Sequence, residues 1–207
     1  MLLSNPAALF SSTQTYGLIP DRSMASRVIT ISEKLTRAQA KFLGAADAIA
    51  ANQWLEQPKP GCWSAAELVA HLSDVERGVA GYADSIIRKT PLPVTWYKRL
   101  HLPLALVRLR AIKRQVPPIV TPSTSLTGKE TMLAELRSVR ERTLAFLEET
   151  LHRDLSRYGW NHPFLGRLSF YAWFAFLAAH QVRHSKQMWE IAQNLPKDVA
   201  SSQKQKG

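Results

Sequence analysis

The sequence predicts an all-α protein, an up-and-down four-helix bundle with a basic, proline-bracketed helical insertion between helices two and three. Four segments of about twenty residues or more carry apolar residues at alternating spacings of four and three, the pattern of bundle helices. The prolines fall between these segments. A length of 207 residues with a hydrophobic fraction of 45% is typical of one globular domain. No apolar run reaches the roughly eighteen residues of a membrane span.

The first helix is predicted over Ile31–Leu55. Residues 1–23 have no periodicity and are rich in Ser, Thr, Asn and Pro, so we expect a disordered N-terminal extension there. They lack the charged and apolar regions of a secretion signal. Met24 lies directly ahead of the periodic segment and is an alternative start of the chain. The bundle is expected to span residues 24–196, and a polar tail at 197–207 follows it.

The second helix is predicted to begin at Ser64, after a turn that contains two prolines and a glycine. Ser64 and Glu67 form the capping-box pattern S-x-x-E at the head of an apolar run. His71 lies on one edge of the apolar stripe. An imidazole there either points into the bundle interior or stays partly exposed, and this helix alone leaves both interpretations open.

The insertion, residues 90–127, holds much of the protein's excess positive charge. The net charge is +11, and the chain without the eight basic residues of Arg88–Arg114 has 19 basic against 16 acidic residues. Apolar and basic residues alternate in Trp96–Arg114, which predicts one or two short amphipathic helices. One interpretation is a crossover arm whose apolar side packs on the bundle. The other is an arm that binds a membrane surface or an anion. We favour the first.

The third helix is predicted over Thr127–Leu151, with apolar residues inward and an Arg/Glu-rich outer face in water. A polar connection follows it, in which His162-Pro163 and Gly166 mark a turn. The last helix is predicted over Leu168–Asn194.

Two histidines of the last helix, His180 and His184, are four residues apart and therefore lie on one face. The same face carries apolar residues, so both imidazoles are aimed at the core. A buried polar group needs a partner, which for a single core histidine is ordinarily a backbone carbonyl. A shared metal ion would satisfy both imidazoles at once. The pair is therefore either two core residues or two metal ligands.

A metal site would need a third ligand, and in bundles such sites are built from facing helices. His71 of helix two is the candidate. Three histidines without a carboxylate leave coordination positions open, which is the pattern of a catalytic site. Gln187, one turn beyond His184, could hydrogen-bond a ligand or a bound water, and Glu67 could orient His71, although its N-cap role is favoured. Zinc, nickel, iron and copper all suit three histidines by ligand type.

Two common metal motifs are excluded. A zincin carries HExxH, but the residue after His180 is Gln181, so the motif supplies no general base. A di-iron bundle carries paired Glu-x-x-His, and neither Glu67 nor Glu190 has that spacing to a histidine.

The quoted residues resemble the DinB-like superfamily. They are Trp63-Ser64-x-x-Glu67-x-x-x-His71-Leu72, His180-x-x-x-His184-x-x-Gln187, and the lead-in His162-Pro163 with Gly166. The resemblance covers roughly Ile31 to Leu195. It implies a four-helix bundle that holds a divalent metal ion through His71, His180 and His184, commonly as a homodimer. Related proteins include thiol-dependent S-transferases and isomerases that use bacillithiol, mycothiol or glutathione, while many members have no assigned reaction.

Three functions are compatible with these observations. The first is a metalloenzyme in which a zinc, nickel or iron ion activates a small thiol, or water, for attack on a small-molecule electrophile. The second is a non-enzymatic module that binds anionic lipid or nucleic acid through the basic arm. Nucleic acid is not favoured because the sequence has no recognised nucleic-acid motif. The third is a structural bundle that a metal ion stabilises.

The single cysteine, Cys62, excludes an internal disulfide and a cysteine-based zinc knuckle. A reducing cytoplasm fits this cysteine usage best. A thiol beside a turn usually has no catalytic role, so Cys62 is not favoured as a nucleophile.

Overall fold

The computed structural model describes residues 22–90 and 125–196, with side chains from Ala25 onward. Its elements, in chain order, are α1 (Arg22–Ala46), the 3-10 helix η1 (Ala51–Gln53), α2 (Ala65–Ile87), α3 (Lys129–Glu149), β1 (Gly159–His162), β2 (Gly166–Ser169) and α4 (Phe170–Asn194). The predicted all-α four-helix bundle is confirmed, with a small two-stranded hairpin added to it.

Two apolar clusters, one at each end of the bundle, show the direction in which each helix runs. The first cluster joins the N-terminal halves of α1 and α4 to the C-terminal halves of α2 and α3. The second joins the C-terminal halves of α1 and α4 to the N-terminal halves of α2 and α3. The order of directions is therefore up, down, down, up. The alternation of an up-and-down bundle holds from α1 to α2 and from α3 to α4, but α2 and α3 are parallel.

Consecutive helices are not the main neighbours in this bundle. α1 packs mainly on α4, and α2 packs mainly on α3, while smaller contacts of α2 with α4 and of α1 with α3 close the ring. The connection between α2 and α3 leaves one end of the bundle and returns at the other, so it is a crossover. Most of it, including the predicted basic arm Trp96–Arg114, lies outside the described residues, as do residues 1–21 and the predicted tail.

The first helix lies about nine residues earlier than the predicted Ile31–Leu55. It begins at Arg22, inside the segment that was expected to be a disordered extension, and it ends at Ala46. Trp54 explains the early end, because on a continuous helix it would lie roughly 120° from Phe42 and outside the apolar stripe. The chain instead turns through η1, and Trp54 packs fully buried in the same cluster as Phe42.

For α2, α3 and α4 the predicted starts lie within two residues of those observed. Ser64 is the N-cap of α2 and forms the capping box with Glu67, as predicted. Ser169 caps α4, which begins two residues after the predicted start. No helix in the described part of the chain is both long and apolar enough to cross a membrane.

The hairpin of β1 and β2 was not predicted as strands, although the turn at His162-Pro163 and Gly166 is confirmed. Its strands pair Gly159 with Ser169 and His162 with Gly166. Gly166 has a φ of 71°, which favours glycine. Gly159 is required by close approach, because a Cβ there would lie 2.5 Å from the Leu168 carbonyl oxygen.

A buried ion pair between Arg140 of α3 and Glu76 of α2 joins all four helices. The Nε and Nη2 atoms of Arg140 each donate to a different carboxylate oxygen of Glu76 over 2.7 Å. Arg140 also donates to the Leu35 carbonyl of α1 over 2.5 Å and to Oε1 of Gln181 of α4 over 2.9 Å. The prediction that the Arg/Glu residues of the third helix lie on an outer face is therefore wrong for Arg140, which is buried in the core.

Candidate metal centre

The structure brings His71 of α2 together with His180 and His184 of α4. One ring nitrogen from each of the three lies within 4.8 Å of the others. His71 and His184 are buried, and His180 is partly exposed. The antiparallel packing of α2 on α4 produces this meeting, because it sets the first third of α2 against the middle of α4. The His71 side chain, at the edge of the apolar stripe of α2, therefore points into the bundle interior.

The separations between the ring nitrogens fit a single metal ion. Nε2 of His180 lies 3.0 Å from Nε2 of His184 and 3.4 Å from Nε2 of His71. Two nitrogens that each bind an ion at about 2.1 Å are about 3.0 Å apart at a right angle and about 3.4 Å apart at a tetrahedral angle. Both separations from Nε2 of His180 thus match those of neighbouring ligands in one coordination sphere.

The surroundings keep two of the imidazoles neutral, which leaves their lone pairs available to a metal ion. Burial lowers the pKa of His71 from 6.5 to about 4, against a smaller opposing effect of Asp74. Burial also lowers the pKa of His180 well below its usual value, and the neighbouring His184 and His71 lower it further. At neutral pH a proton therefore does not compete for either side chain.

Gln187 fixes the ring of His184. Nδ1 of His184 lies 2.9 Å from Oε1 of Gln187. An amide oxygen only accepts hydrogen bonds, so Nδ1 carries the hydrogen and donates it. Nε2 of His184 then presents its lone pair toward the other two histidines, as a metal ligand must. The sequence left Gln187 two partners, a ligand or a bound water, and in the structure Gln187 contacts the candidate ligand.

Glu67 takes the N-cap role that was favoured for it. Its Oε2 accepts from the backbone N–H of Ser64 over 2.7 Å, and Ser64 Oγ accepts from the backbone N–H of Glu67 over 3.2 Å. Gln57 Nε2 also donates to Glu67 Oε2, over 3.4 Å. The carboxylate is therefore engaged at the start of α2, and the alternative role of orienting His71 gains no support from these contacts. Cys62 lies exposed in the preceding turn.

Aromatic rings contact His71 and His180. Trp63 lies with its ring centroid 4.9 Å from that of His71. Phe176, one turn before His180 on α4, stacks on the His180 ring with centroids 5.2 Å apart. His162 of the hairpin also contacts Phe176, with its centroid 4.6 Å from that of Phe176. The Trp173 indole N–H donates to the Trp160 carbonyl over 3.1 Å and ties the hairpin to α4.

Sequence reasoning missed the places of His162 and Arg140. The sequence places His162 in the turn that leads into the last helix, and nothing in its spacing relates it to His180. Arg140 did leave a signal, because it continues the apolar stripe of the third helix, four residues after Leu136 and three before Thr143. Glu76 likewise lies within the stripe of the second helix. Opposite charges within two facing stripes indicate a buried ion pair.

Comparisons with known proteins agree with this architecture. A family model described as the DinB superfamily matches residues 34–188. The uncharacterized protein YuaE of Bacillus subtilis (strain 168) is 26% identical over 140 residues, which cover 68% of this chain and 83% of YuaE. Among solved structures, YfiT from Bacillus subtilis aligns with a TM-score of 0.53 and 16% identity over 92% of both chains. YfiT is described as a probable metal-dependent hydrolase with an unusual four-helix bundle topology. At 16% identity, the likeness to YfiT shows a shared fold and no more.

Proposed function

The chain belongs to the DinB superfamily, and we propose that it is a metalloenzyme in which His71, His180 and His184 hold one divalent ion. The observation that carries this proposal is the convergence of the three Nε2 atoms at separations of 3.0 and 3.4 Å. The donor set fits zinc, nickel or iron, because all three bind neutral imidazole. Three ligands leave coordination positions open for a substrate or a nucleophile.

A small thiol is the nucleophile that we favour. When bound, the ion would supply Lewis-acid chemistry, which lowers the pKa of a thiol or a water at an open position. The candidate metal group found among the described residues contains histidines and no carboxylate. Gln181, which takes the place of the zincin glutamate, accepts from Arg140 in the core instead. A thiol is far more acidic than water, so it depends less on a general base.

Water is the second candidate nucleophile, and the fold supports it. YfiT, which shares this bundle over 92% of its chain, is described as a probable metal-dependent hydrolase. With water as the nucleophile the same three histidines would serve hydrolysis of a small ester or amide.

The experiment that tests both candidates is a pair of activity assays on the metal-loaded protein. We expect metal-dependent conjugation of a test electrophile with bacillithiol, mycothiol or glutathione, and loss of that turnover in His180→Ala. Turnover of an ester and amide panel, without conjugation by any of the three thiols, would favour water. The absence of metal-dependent turnover in both assays would contradict the enzyme proposal. It would leave the alternative of a non-enzymatic module that binds through the basic arm. The affinity of such a module for anionic vesicles or duplex DNA would fall steeply with salt.

We also propose that the protein is a homodimer that acts on a small-molecule substrate, as its family membership suggests. Sedimentation equilibrium of the metal-loaded protein would test the dimer, and a mass of one chain at micromolar concentration would contradict it.

A further inference from the structure

The hairpin places a histidine with a fixed tautomer against Phe176, which also contacts the candidate metal ligand His180. Nδ1 of His162 accepts backbone N–H groups from Phe164 over 3.1 Å and from Leu165 over 3.2 Å. A nitrogen that accepts two hydrogen bonds carries no hydrogen of its own, so in the neutral ring the hydrogen lies on Nε2. Burial lowers the pKa of His162, which also favours the neutral form. His162 is therefore a neutral donor through Nε2.

The ring of His162 is held in place by aromatic packing. Its centroid lies 4.6 Å from that of Phe176, edge-on at 69°, and 5.1 Å from that of Trp173. Phe176 also contacts the candidate metal centre, because its ring stacks on that of His180 at 24° with centroids 5.2 Å apart. Phe176 therefore contacts both His162 and a candidate ligand. His162 is close enough to His180 to act on it electrostatically.

Because both rings contact Phe176, at 4.6 Å and 5.2 Å between centroids, the His162 and His180 rings are at most about 10 Å apart, which is within the length of a small substrate. His162 is partly exposed. The ring packing fixes the imidazole, and a fixed donor loses little conformational entropy on binding. A buried or half-buried donor that must be satisfied discriminates strongly between ligands that carry an acceptor and ligands that lack one.

We propose that His162 is a specificity-determining residue, whose Nε2–H donates a hydrogen bond to an acceptor oxygen of the substrate several bonds away from the atom held at His71, His180 and His184. The inference rests on the proposed metal centre. The substrate class that it selects is a small molecule with a carboxylate or carbonyl oxygen on the Phe176 side of its reacting group. Phe176 forms the apolar floor between the two polar contacts.

Two substitutions separate this role from a role in folding. His162→Asn places an amide oxygen near the position of Nδ1, so it keeps the acceptor for the two backbone N–H groups and removes the Nε2 donor. His162→Gln places an amide N–H₂ near the position of Nε2, so it keeps the donor and loses the turn acceptor. If His162 serves only the hairpin turn, Asn should preserve its role better than Gln does. If His162 donates to the substrate, Gln should preserve its role better than Asn does.

The test measures the binding of two hydroxamate probes to the cobalt-loaded full-length protein, and the visible absorption of the bound cobalt reports the binding. The probes are acetohydroxamate, which reaches only the metal, and succinic acid monohydroxamate, which adds a carboxylate several bonds away. We expect His162→Asn to bind acetohydroxamate like the wild type and to lose about tenfold in affinity for the longer probe, the usual effect of one hydrogen bond to a charged group. His162→Gln should bind the longer probe more tightly than His162→Asn does.

The outcomes distinguish this inference from the proposed function. Wild-type affinity of His162→Asn for the longer probe would overturn the inference, and so would an equal loss for both probes, which would show an effect on the metal centre itself. If the wild-type protein takes up no cobalt, or takes it up without binding either hydroxamate, the proposed metal centre fails first.

Discussion

Oε1 of Gln187 lies 2.9 Å from Nδ1 of His184, less than one helical turn further along α4. The hydrogen bond fixes both the tautomer and the rotation of a candidate ligand, since the ring has its opposite nitrogen toward His180. The other two candidate ligands contact aromatic rings, His71 that of Trp63 and His180 that of Phe176. Each candidate ligand is therefore in contact with a neighbouring side chain that restricts its ring.

Removing that hydrogen bond should weaken metal binding. We expect Gln187→Leu, which has similar bulk and no acceptor, to lower the affinity for zinc by about tenfold or more, as removal of a ligand's hydrogen-bond partner typically does. Gln187→Glu keeps an acceptor and should stay close to the wild type. Competition with a chromophoric chelator measures both affinities. Equal affinities for the wild type and Gln187→Leu would show that the contact does not orient a ligand.

Metal stoichiometry tests the three histidines directly. We expect one divalent ion per chain, with ligand nitrogens about 2.0–2.2 Å from it, and a loss of most bound metal in His71→Ala and in His180→Ala. His152→Ala is the matched control, because His152 is exposed in the connection after α3. Elemental analysis of the purified proteins gives the content. Full metal content in both ligand variants would refute the site.

The metal-free protein should lose stability as the pH falls. The unfolded chain binds a proton at His71 below about pH 6.5, while the folded chain resists it until about pH 4. Since the unfolded state binds more protons between these values, the stabilisation is complete above pH 6.5 and is lost on acidification. Protonation of His71 in the unfolded chain alone should lower the free energy of unfolding by about 2 kcal/mol between pH 6.5 and pH 5. His180 adds to this loss, because its pKa is also lowered.

Urea unfolding of chelator-treated protein at pH 7.5 and pH 5 measures this loss. His71→Gln cannot titrate at that position and should show a shallower dependence, which retains only the contribution of the remaining groups. The same pH dependence in both proteins would mean that His71 is not the group responsible.

Breaking the buried ion pair should destabilise the bundle strongly. Arg140→Met leaves Glu76 buried without its partner, which we expect to cost about 3–5 kcal/mol. The double variant Arg140→Met/Glu76→Leu removes both charges and should recover much of that loss. The control is Arg142→Ala, whose ion pair with Glu135 is exposed and should contribute less than about 1 kcal/mol. Similar losses in Arg140→Met and Arg142→Ala would refute the role of the buried pair.

Most of the fold could be predicted from the amphipathic periodicity of the sequence. The stripes predicted four helices, and the capping box placed the start of α2 at the correct residue. Periodicity does not encode the direction in which a helix runs after a long connection, so the parallel pair of α2 and α3 could not be predicted. Short strands such as β1 and β2 have too few residues to show an alternating pattern.

The candidate ligands could be predicted because two of them share a helical face, and face membership follows from spacing alone. His71 was open to two interpretations until the packing of α2 on α4 set it against His180. His162 could not be related to the site from its spacing, because its position depends on a hairpin in which Gly159 closely approaches the Leu168 carbonyl and Gly166 has a positive φ.

The up-down-down-up order has a consequence for how the chain folds. The most extensive helix pair joins α1 to α4, so the principal contacts have a high contact order for a helical protein. Loops of more than a hundred residues must close before those contacts form, and their closure is entropically costly. During synthesis α1 emerges long before α4, its main partner, is made. His180 and His184 arrive with that same helix, so the metal centre and the principal packing of the bundle form together, in the final step.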